Sequence, residues 1–146
     1  MDHIVYLDSR SRELENLVTG NKSMIIRGSS KQKMPHGRVR EGDVLYFINN
    51  NGECEIKASG IVTSVLNTEK LTVEESFETV IRNQDKLQLP DRYFEKVAGK
   101  SYLVLIGIAE TKPIKPIRID KSALGNADDW IAVGKIETVF PVKVDL

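Results

Sequence analysis

The residues best suited to bind a ligand lie between Gly20 and Asp43. This segment opens with Gly20-Asn-Lys-Ser-Met-Ile-Ile-Arg27 and closes on Gly42-Asp43. Between residues 27 and 40 the chain carries five basic residues and no acidic one, namely Arg27, Lys31, Lys33, Arg38 and Arg40, with His36 among them. Lysine and arginine side chains contact phosphate groups without regard to base sequence. The segment therefore predicts a local positive surface on a chain whose formal net charge is zero.

Each of these residues also has an ordinary interpretation. Lys22 could be a solvated surface charge, and the residues from Lys31 to Arg40 could form a mobile charged loop. Arg27, at the end of an apolar strand, could fork onto a phosphate or form an ion pair with Asp43, Glu41 or a helix carboxylate. His36 could stack on a base, donate to a phosphate or have no role.

Other site chemistry is poorly supported. The two histidines, His3 and His36, and the single cysteine, Cys54, do not form a convincing zinc-binding set. The sequence has no Gly-x-x-x-x-Gly-Lys phosphate loop, no Gly-x-Gly-x-x-Gly and no Gly-x-Ser-x-Gly nucleophile elbow. We therefore expect no metal and no cofactor.

The elements that position this segment are strands with a few short helices. Asp8 or Ser9 is expected to cap a first helix that ends at Gly20, and Thr72-Val-Glu-Glu75 has the form of a capping box. Strands are expected at 3–7, 23–27, 44–48, 53–65, 101–110 and from 135 towards 144, and further helices after Thr72 and from about Pro90 to Gly99. The helix after Thr72 places Val73, Phe77, Val80 and Ile81 on one face.

The strand 53–65 carries a sign of curvature. Its apolar alternation changes phase beside Gly60, which predicts a bulge or bend. The fold class is therefore α+β, with a bent, mostly antiparallel sheet that curls into a barrel and two to three peripheral helices. Trp130 could be a stacking platform for a base, or could plug one end of such a barrel.

Length and composition set the class of protein. The 146 residues predict one domain, 1–146, with 40% hydrophobic and 29% charged residues. The longest apolar run, 103–109, is far shorter than the roughly 20 residues of a membrane helix. No signal peptide is recognisable and the lone cysteine fits a reducing compartment, so we expect a cytoplasmic protein with no membrane partner.

The pattern Gly-x-Lys-x-x-x-x-Arg over residues 20–27, with Gly42-Asp43 before the next strand and Ala58-x-Gly-x-Val62 after it, resembles the ASCH domain. The resemblance is clearest over residues 10–66. It implies a PUA-like β-barrel and a cleft lined by the Gly-x-Lys segment, where Lys22 and Arg27 face RNA or a nucleotide. Many members of the family have a glutamate, or in a hydrolytic branch a threonine, two residues before the arginine. Here that position is Ile25, which lacks the acid or hydroxyl of a hydrolase.

Three functions remain open. The first is a nucleic-acid-binding module, expected to act on RNA, whose binding residues are Lys22, Ser23, Arg27, Lys31, Lys33, His36, Arg38 and Arg40. The second is a small hydrolase of a modified nucleoside or nucleotide, with Lys22 as the activating group. The third is a protein-interaction or dimer-forming module, in which the basic loop docks onto an acidic partner or, in a possible homodimer, onto the acidic stretch 69–95.

Overall fold

The computed structural model describes residues 1–119 and 129–140. Over these residues the elements run in the order β1 (Asp2–Leu7), α1 (Glu13–Thr19), β2 (Met24–Ser29), β3 (Val44–Asn49), β4 (Glu55–Asn67), α2 (Val73–Arg82), α3 (Gln84–Leu87), α4 (Asp91–Val97), β5 (Tyr102–Arg118), β6 (Trp130–Gly134) and a 3-10 helix, Ile136–Val139. The α+β class predicted from the sequence is confirmed. The described part contains four short α-helices rather than two or three.

The six strands form one mixed sheet in the order β2-β5-β4-β3-β1-β6. β1 and β3 run parallel, from Asp2 opposite Val44 to Leu7 opposite Asn49. The other neighbouring pairs are antiparallel. Parallel neighbours need a crossover connection, and here it contains α1 and β2. The basic segment therefore begins at one edge of the sheet, on β2, and leads back to β3 in its interior.

The sheet curls because its long central strands are bulged. Pairing of β4 with β5 shifts register between Ile56 and Ala58, between Ser59 and Ile61, and between Val62 and Ser64. Gly60 lies among these shifts, and a Cβ atom there would stand only 2.7 Å from Cγ2 of Ile108. A bulge bends a strand and increases its twist. The bulge predicted from the change in apolar alternation beside Gly60 is therefore confirmed. The result is a half-barrel, curled enough for Arg27 of β2 to donate to the carbonyl oxygen of Tyr6 in β1, 2.8 Å away.

Helix α1 starts later than the sequence suggested. Its N-cap position is Arg12, which has a left-handed backbone with φ of 55° and provides no side-chain cap. Asp8 instead accepts a hydrogen bond from the backbone amide of Ser11, in the turn before the helix. The prediction that Asp8 or Ser9 caps the helix was therefore wrong. Its end was predicted well, because Gly20 has φ of 83° and its amide donates to the carbonyl of Leu17.

Helix α2 begins with the predicted capping box, in which Thr72 and Glu75 each accept from the other's backbone amide. Its buried face is centred on Ser76 and Val80. The other apolar residues of the predicted face point to solvent, with exposed fractions of 57% for Val73, 39% for Phe77 and 60% for Ile81. Sequence periodicity placed these residues on one side of the helix but could not decide which part of that side meets the core.

The core lies on both sides of the curled sheet. One cluster, with Ile25, Phe47 and Ile106 at its centre, fills the inside of the curl under α1, and Trp130 belongs to it. Only 2% of Trp130 is exposed, so it is a core residue and cannot serve as a stacking platform for a base. A second cluster packs β2 and β5 against α2, α3 and α4. A third lies under the 3-10 helix. The last strand predicted from Lys135 is wrong for residues 136–139, and residues 141–144 lie outside the described part.

None of the helices among residues 1–119 and 129–140 has the length and apolar character needed to cross a bilayer.

Candidate functional site

A cleft of about 320 Å³ opens where β2 and the following loop meet helix α4. We call it the basic cleft. Its walls come from β2, the loop, α4, β5 and the residue before β6, and consist of Ile26, Arg27, Gly28, Ser29, Lys31, Lys33, Met34, Pro35, His36, Tyr93, Lys96, Val97, Tyr102, Val104 and Asp129. The cleft is thus lined by four cations and one carboxylate, Asp129. The cations are Arg27, Lys31, Lys33 and Lys96. An anionic ligand is favoured by this balance of charge.

Arg27 is the best-fixed cation of the cleft. Its guanidinium donates to the carbonyls of Ile26 and Tyr6, at 2.9 and 2.8 Å, and lies 5.6 Å from the centre of the Trp130 ring. Its Nε is 3.2 Å from the carboxylate of Asp129 but makes no hydrogen bond among the described residues. The ion pair expected with Asp43, Glu41 or a helix carboxylate is therefore made with Asp129, an exposed residue that the sequence did not point to. Arg27 both joins the two edges of the sheet and faces the cleft.

A buried polar network holds the tryptophan beneath Arg27. The Nε1 of Trp130 donates to Nδ1 of His3, 3.2 Å away. Because Nδ1 accepts, the proton of His3 sits on Nε2, which donates to the carboxylate of Asp43 at 2.8 Å. Asp43 also accepts from the backbone amide of Arg40 and from the amino group of Met1. The Gly-Asp turn at the end of the basic segment thus anchors, through His3, the tryptophan that Arg27 contacts.

The loop that carries Lys31 and Lys33 is anchored at its far end. Nε2 of His36 lies 2.9 Å from the carbonyl oxygen of Thr68, so this nitrogen carries a proton and donates. The amide of Gly37 donates to the side chain of Asn67. The ring of His36 also meets that of Tyr102 edge to face, with 5.8 Å between centroids. His36 therefore has a structural role in the wall of the cleft, whereas Lys31 and Lys33 remain exposed.

Helix α4 supplies two site residues that sequence reasoning missed. Tyr93 and Lys96 are neighbours on its surface, three residues apart, and both line the basic cleft. Val97 of this helix is buried in the core, whereas Tyr93 is only partly buried and Lys96 is exposed. Only the packing of α4 against β2 shows that these two residues border the cleft.

Tyr93 lies among charged groups. Burial raises the pKa of its hydroxyl, and the nearby carboxylate of Glu13 raises it further, while Arg27 opposes the rise. The hydroxyl therefore remains protonated at neutral pH and can donate a hydrogen bond. The same ring is approached by two cations, Arg92 at 5.7 Å and Lys96 at 5.5 Å from its centroid.

Lys22 lies apart from the basic cleft. Its amino group is 2.9 Å from a carboxylate oxygen of Glu13 in α1 and donates to the carbonyl of Leu87 at 2.6 Å. The side chains of Lys22 and Glu13 are only 3% and 7% exposed. The other oxygen of Glu13 accepts from the backbone amide of Asp8. A lysine held in this way joins α1 to the end of α3, and it does not line the cleft in which the sequence placed it.

Three further residues of the predicted site also lie outside the walls of the basic cleft. Ser23 is exposed beside the start of β2, and its backbone bonds to Lys86 and Ile108. Arg38 and Arg40 are exposed at the far end of the loop, beyond His36. The structure therefore brings together Arg27, Lys31, Lys33 and His36 of the eight predicted residues, and separates Lys22, Ser23, Arg38 and Arg40 from them.

Within the described ranges no three His, Cys, Asp or Glu side chains stand close enough to hold a metal ion.

Comparison with known proteins relates this chain to others through structure alone. The sequence matches no protein-family model. It also matches no curated protein. Among solved structures, it is similar to ASCH from Zymomonas mobilis, with a TM-score of 0.67 and 12% identity over 94% of this chain and 90% of that one. Tyrosine-to-phenylalanine and serine-to-alanine variants of the same protein give TM-scores of 0.68 and 0.67. The likeness covers nearly the whole chain, so this chain has the ASCH-domain fold.

Proposed function

We propose that this chain, an ASCH-fold domain, is a PUA-like module that binds single-stranded RNA in the basic cleft. The observation that carries the proposal is the convergence of Arg27, Lys31, Lys33 and Lys96 on one cleft beside two tyrosines. None of this charge is visible in the net charge of the chain, which is zero.

The charges of the cleft suit a phosphate chain. Lys31 and Lys33 are exposed, and the loop that carries them is fixed at its far end by His36, so their amino groups are open to a phosphate and the loop is held beside the cleft. Arg27 is fixed in the wall of the cleft by its hydrogen bonds to the carbonyls of Ile26 and Tyr6 and by its ion pair with Asp129. A guanidinium that is already held in place loses little freedom when it binds an anion.

The aromatic groups of the cleft favour unpaired bases. Tyr93 and Tyr102 line it from opposite elements, α4 and β5. Proteins that bind single strands combine a basic groove with aromatic rings on which bases stack. A volume of about 320 Å³ is in the range of a pocket for one small ligand, and a double helix would not enter it.

The geometry favours binding over hydrolysis. Ile25, which stands where the hydrolytic branch of the family would carry a threonine, is fully buried in the core. Lys22, the proposed activating group of a hydrolase, is held by Glu13 and the carbonyl of Leu87 and is 3% exposed. Neither side chain reaches the cleft.

The test is a fluorescence-anisotropy titration of labelled single-stranded and double-stranded RNA at several salt concentrations. We expect the single strand to bind more tightly, with an affinity that falls as salt rises. Replacement of Lys33 by alanine should remove one phosphate contact and make the salt slope shallower by about 0.7. Tyr93→Phe should keep most of the affinity and Tyr93→Ala should lose it, because the ring provides the stacking surface.

The matched control is Lys115→Ala, which removes an exposed lysine of β5 that does not line the cleft. It should bind RNA as the wild type does. Equal losses for Lys33→Ala and Lys115→Ala, or binding that ignores salt, would show that the basic cleft is not the site. Preference for the duplex would contradict the assignment to single strands.

A further inference from the structure

A second cleft, of about 560 Å³, lies next to the basic cleft. It is formed by the turn after β1, the β3–β4 hairpin and helix α4. Its walls are Asp8, Ser9, Arg10, Asn50, Asn51, Arg92, Tyr93 and Lys96. Tyr93 and Lys96 line both clefts, so the two are adjacent and share one wall.

We infer that the second cleft receives the next part of the same RNA strand, so that the chain passes over Tyr93 from one cleft to the other. This inference rests on the proposed function and extends the RNA-binding site from the basic cleft to the second cleft. The second cleft is lined by polar and charged side chains with no aliphatic residue among them. That composition suits a phosphate and ribose better than an apolar ligand.

The walls of the second cleft are held in position by hydrogen bonds. The side-chain oxygen of Asn50 accepts from both the backbone amide and the hydroxyl of Ser9. The backbone amide of Asn50 donates to the carbonyl of Leu7. The hairpin is thereby tied to the turn after β1.

On the opposite wall, Arg92 pairs with the carboxylate of Asp8. Burial by itself raises the pKa of Asp8, but hydrogen bonds from Ser11 and the charge of Arg92 outweigh it and hold the pKa below its ordinary value. Asp8 is therefore ionised at neutral pH and fixes the position of Arg92.

One arginine of the second cleft, Arg10, has no ion-pair partner among the described residues and is open to a ligand. The cleft contains three cations, Arg10, Arg92 and Lys96, and one carboxylate, which Arg92 engages. Arg10 is exposed and makes no ion pair with any residue of the described ranges. Arg10 lines the second cleft and not the basic cleft, so it is placed to contact a phosphate that lies beyond Tyr93.

Tyr93 is placed to bridge the two clefts. Arg92 and Lys96 both lie within 6 Å of the centre of its ring, at 5.7 and 5.5 Å. Because both cations lie over the ring, a base that stacks on Tyr93 displaces them from its face to its edge, where they can contact the phosphates that precede and follow. Cations beside an aromatic ring are the arrangement by which single-strand sites combine stacking with backbone contacts.

The experiment measures, by calorimetric titration, the affinity of the protein for uridine oligonucleotides of one, two, four and eight nucleotides. Each is titrated into the wild type and into three variants, Arg10→Ala, Arg10→Glu and Lys33→Ala. We expect affinity to rise from the mononucleotide to the longer strands. Arg10→Ala should weaken binding of the octanucleotide and make its salt slope shallower by about 0.7, and Arg10→Glu should weaken it more. Neither substitution should change binding of the mononucleotide. The matched control is Arg118→Ala, an exposed arginine at the end of β5 that lines neither cleft.

Two results separate this inference from the proposed function. If Lys33→Ala weakens binding of the octanucleotide but Arg10→Ala and Arg10→Glu do not, the basic cleft is the site and the second cleft is not part of it. A mononucleotide that binds as tightly as the octanucleotide would likewise exclude the second cleft from the site. If no oligonucleotide binds at all, the proposed function fails and the inference fails with it.

Discussion

The segment from Gly20 to Asp43 contains two groups of charged residues in opposite environments. Lys22, Arg27 and Asp43 are engaged: each is mostly buried and bonded to groups far away in the sequence. Lys31 and Lys33 are open: they are exposed on the wall of the basic cleft. Composition alone treats these residues as equivalent. The difference shows that charge in a sequence identifies a region, whereas the partners of each charge decide whether it stabilises the fold, is open to a ligand or, as for Arg27, does both.

Among these substitutions, Lys22→Ala is expected to reduce the stability of the fold the most. The substitution leaves the carboxylate of Glu13 buried without its cation and the carbonyl of Leu87 without its donor. Removal of one member of a buried ion pair typically lowers the free energy of unfolding by about 3–5 kcal/mol. Urea unfolding followed by circular dichroism measures the loss.

The control is a variant in which both charges are removed, Lys22→Met with Glu13→Gln. It should recover part of the stability, because no unpaired charge remains buried. A Lys22→Ala protein that unfolds at the wild-type urea concentration but binds RNA weakly would place Lys22 among the open residues instead.

Arg27→Ala is expected to have the next largest effect. It removes the hydrogen bonds to Ile26 and Tyr6 and the contact with the Trp130 ring. Loss of hydrogen bonds from a charged donor should lower the free energy of unfolding by about 1–3 kcal/mol. Trp130 is the single tryptophan of the chain, so its fluorescence reports the change directly.

Arg27→Lys sharpens the comparison. Lysine keeps the charge but cannot provide the planar guanidinium that bonds to two carbonyls and lies over the indole. We expect salt-dependent RNA binding to survive in part while stability falls almost as far as with alanine. Full stability in Arg27→Lys would show that the guanidinium does not join the edges of the sheet.

The third prediction concerns acid pH and Asp43. Burial raises the pKa of this carboxyl, but hydrogen bonds from His3, the Arg40 amide and the amino terminus outweigh it and hold the pKa below its ordinary value. A group with a lowered folded-state pKa stabilises the protein above its unfolded pKa, about 3.9 for aspartate, and this contribution is lost as pH falls through the folded value.

Wild-type stability should therefore decrease as pH falls below about 4. In Asp43→Asn, which cannot titrate, the decrease over the same range should be less steep. Urea unfolding at a series of pH values measures both slopes. Parallel curves for the two proteins would mean that Asp43 carries no such contribution.

The smallest effect on stability is expected from the open lysines. Lys31→Ala and Lys33→Ala remove exposed side chains, and such changes usually alter the free energy of unfolding by no more than about 0.5 kcal/mol. RNA affinity should nevertheless fall in both. If either lysine is needed for stability, the separation into engaged and open residues does not hold.

Features that depend on neighbouring residues could be predicted from the sequence. The capping box at Thr72 and Glu75 needs residues three apart, and the helix end at Gly20 needs a positive φ. The bulge beside Gly60 was visible as a change of phase in one strand. The first helix cap was mispredicted because Arg12, in a left-handed conformation, starts α1 without any side-chain cap.

The candidate site was predicted only in part, because many of its contacts join residues that are far apart in the sequence. The pattern of Lys22 and Arg27 was visible, but their partners Glu13, Leu87, Tyr6 and Asp129 come from four other places in the chain. Tyr93 and Lys96 carried no local signal beyond a helical spacing. The position of α4 against β2 makes them part of the cleft.

The sequence by itself determined the α+β class, the curvature of the sheet and the basic segment that supplies part of the candidate site, because these follow from periodicity, turn residues and local charge. Only the tertiary structure decided which cations of that segment are free. Burial and pairing depend on residues distant in the chain: Lys22 donates to a carbonyl 65 residues away, and Trp130 beneath Arg27 is held by a histidine 127 residues away. Contacts at such separations are set by how the elements pack, and no short pattern in the sequence specifies them.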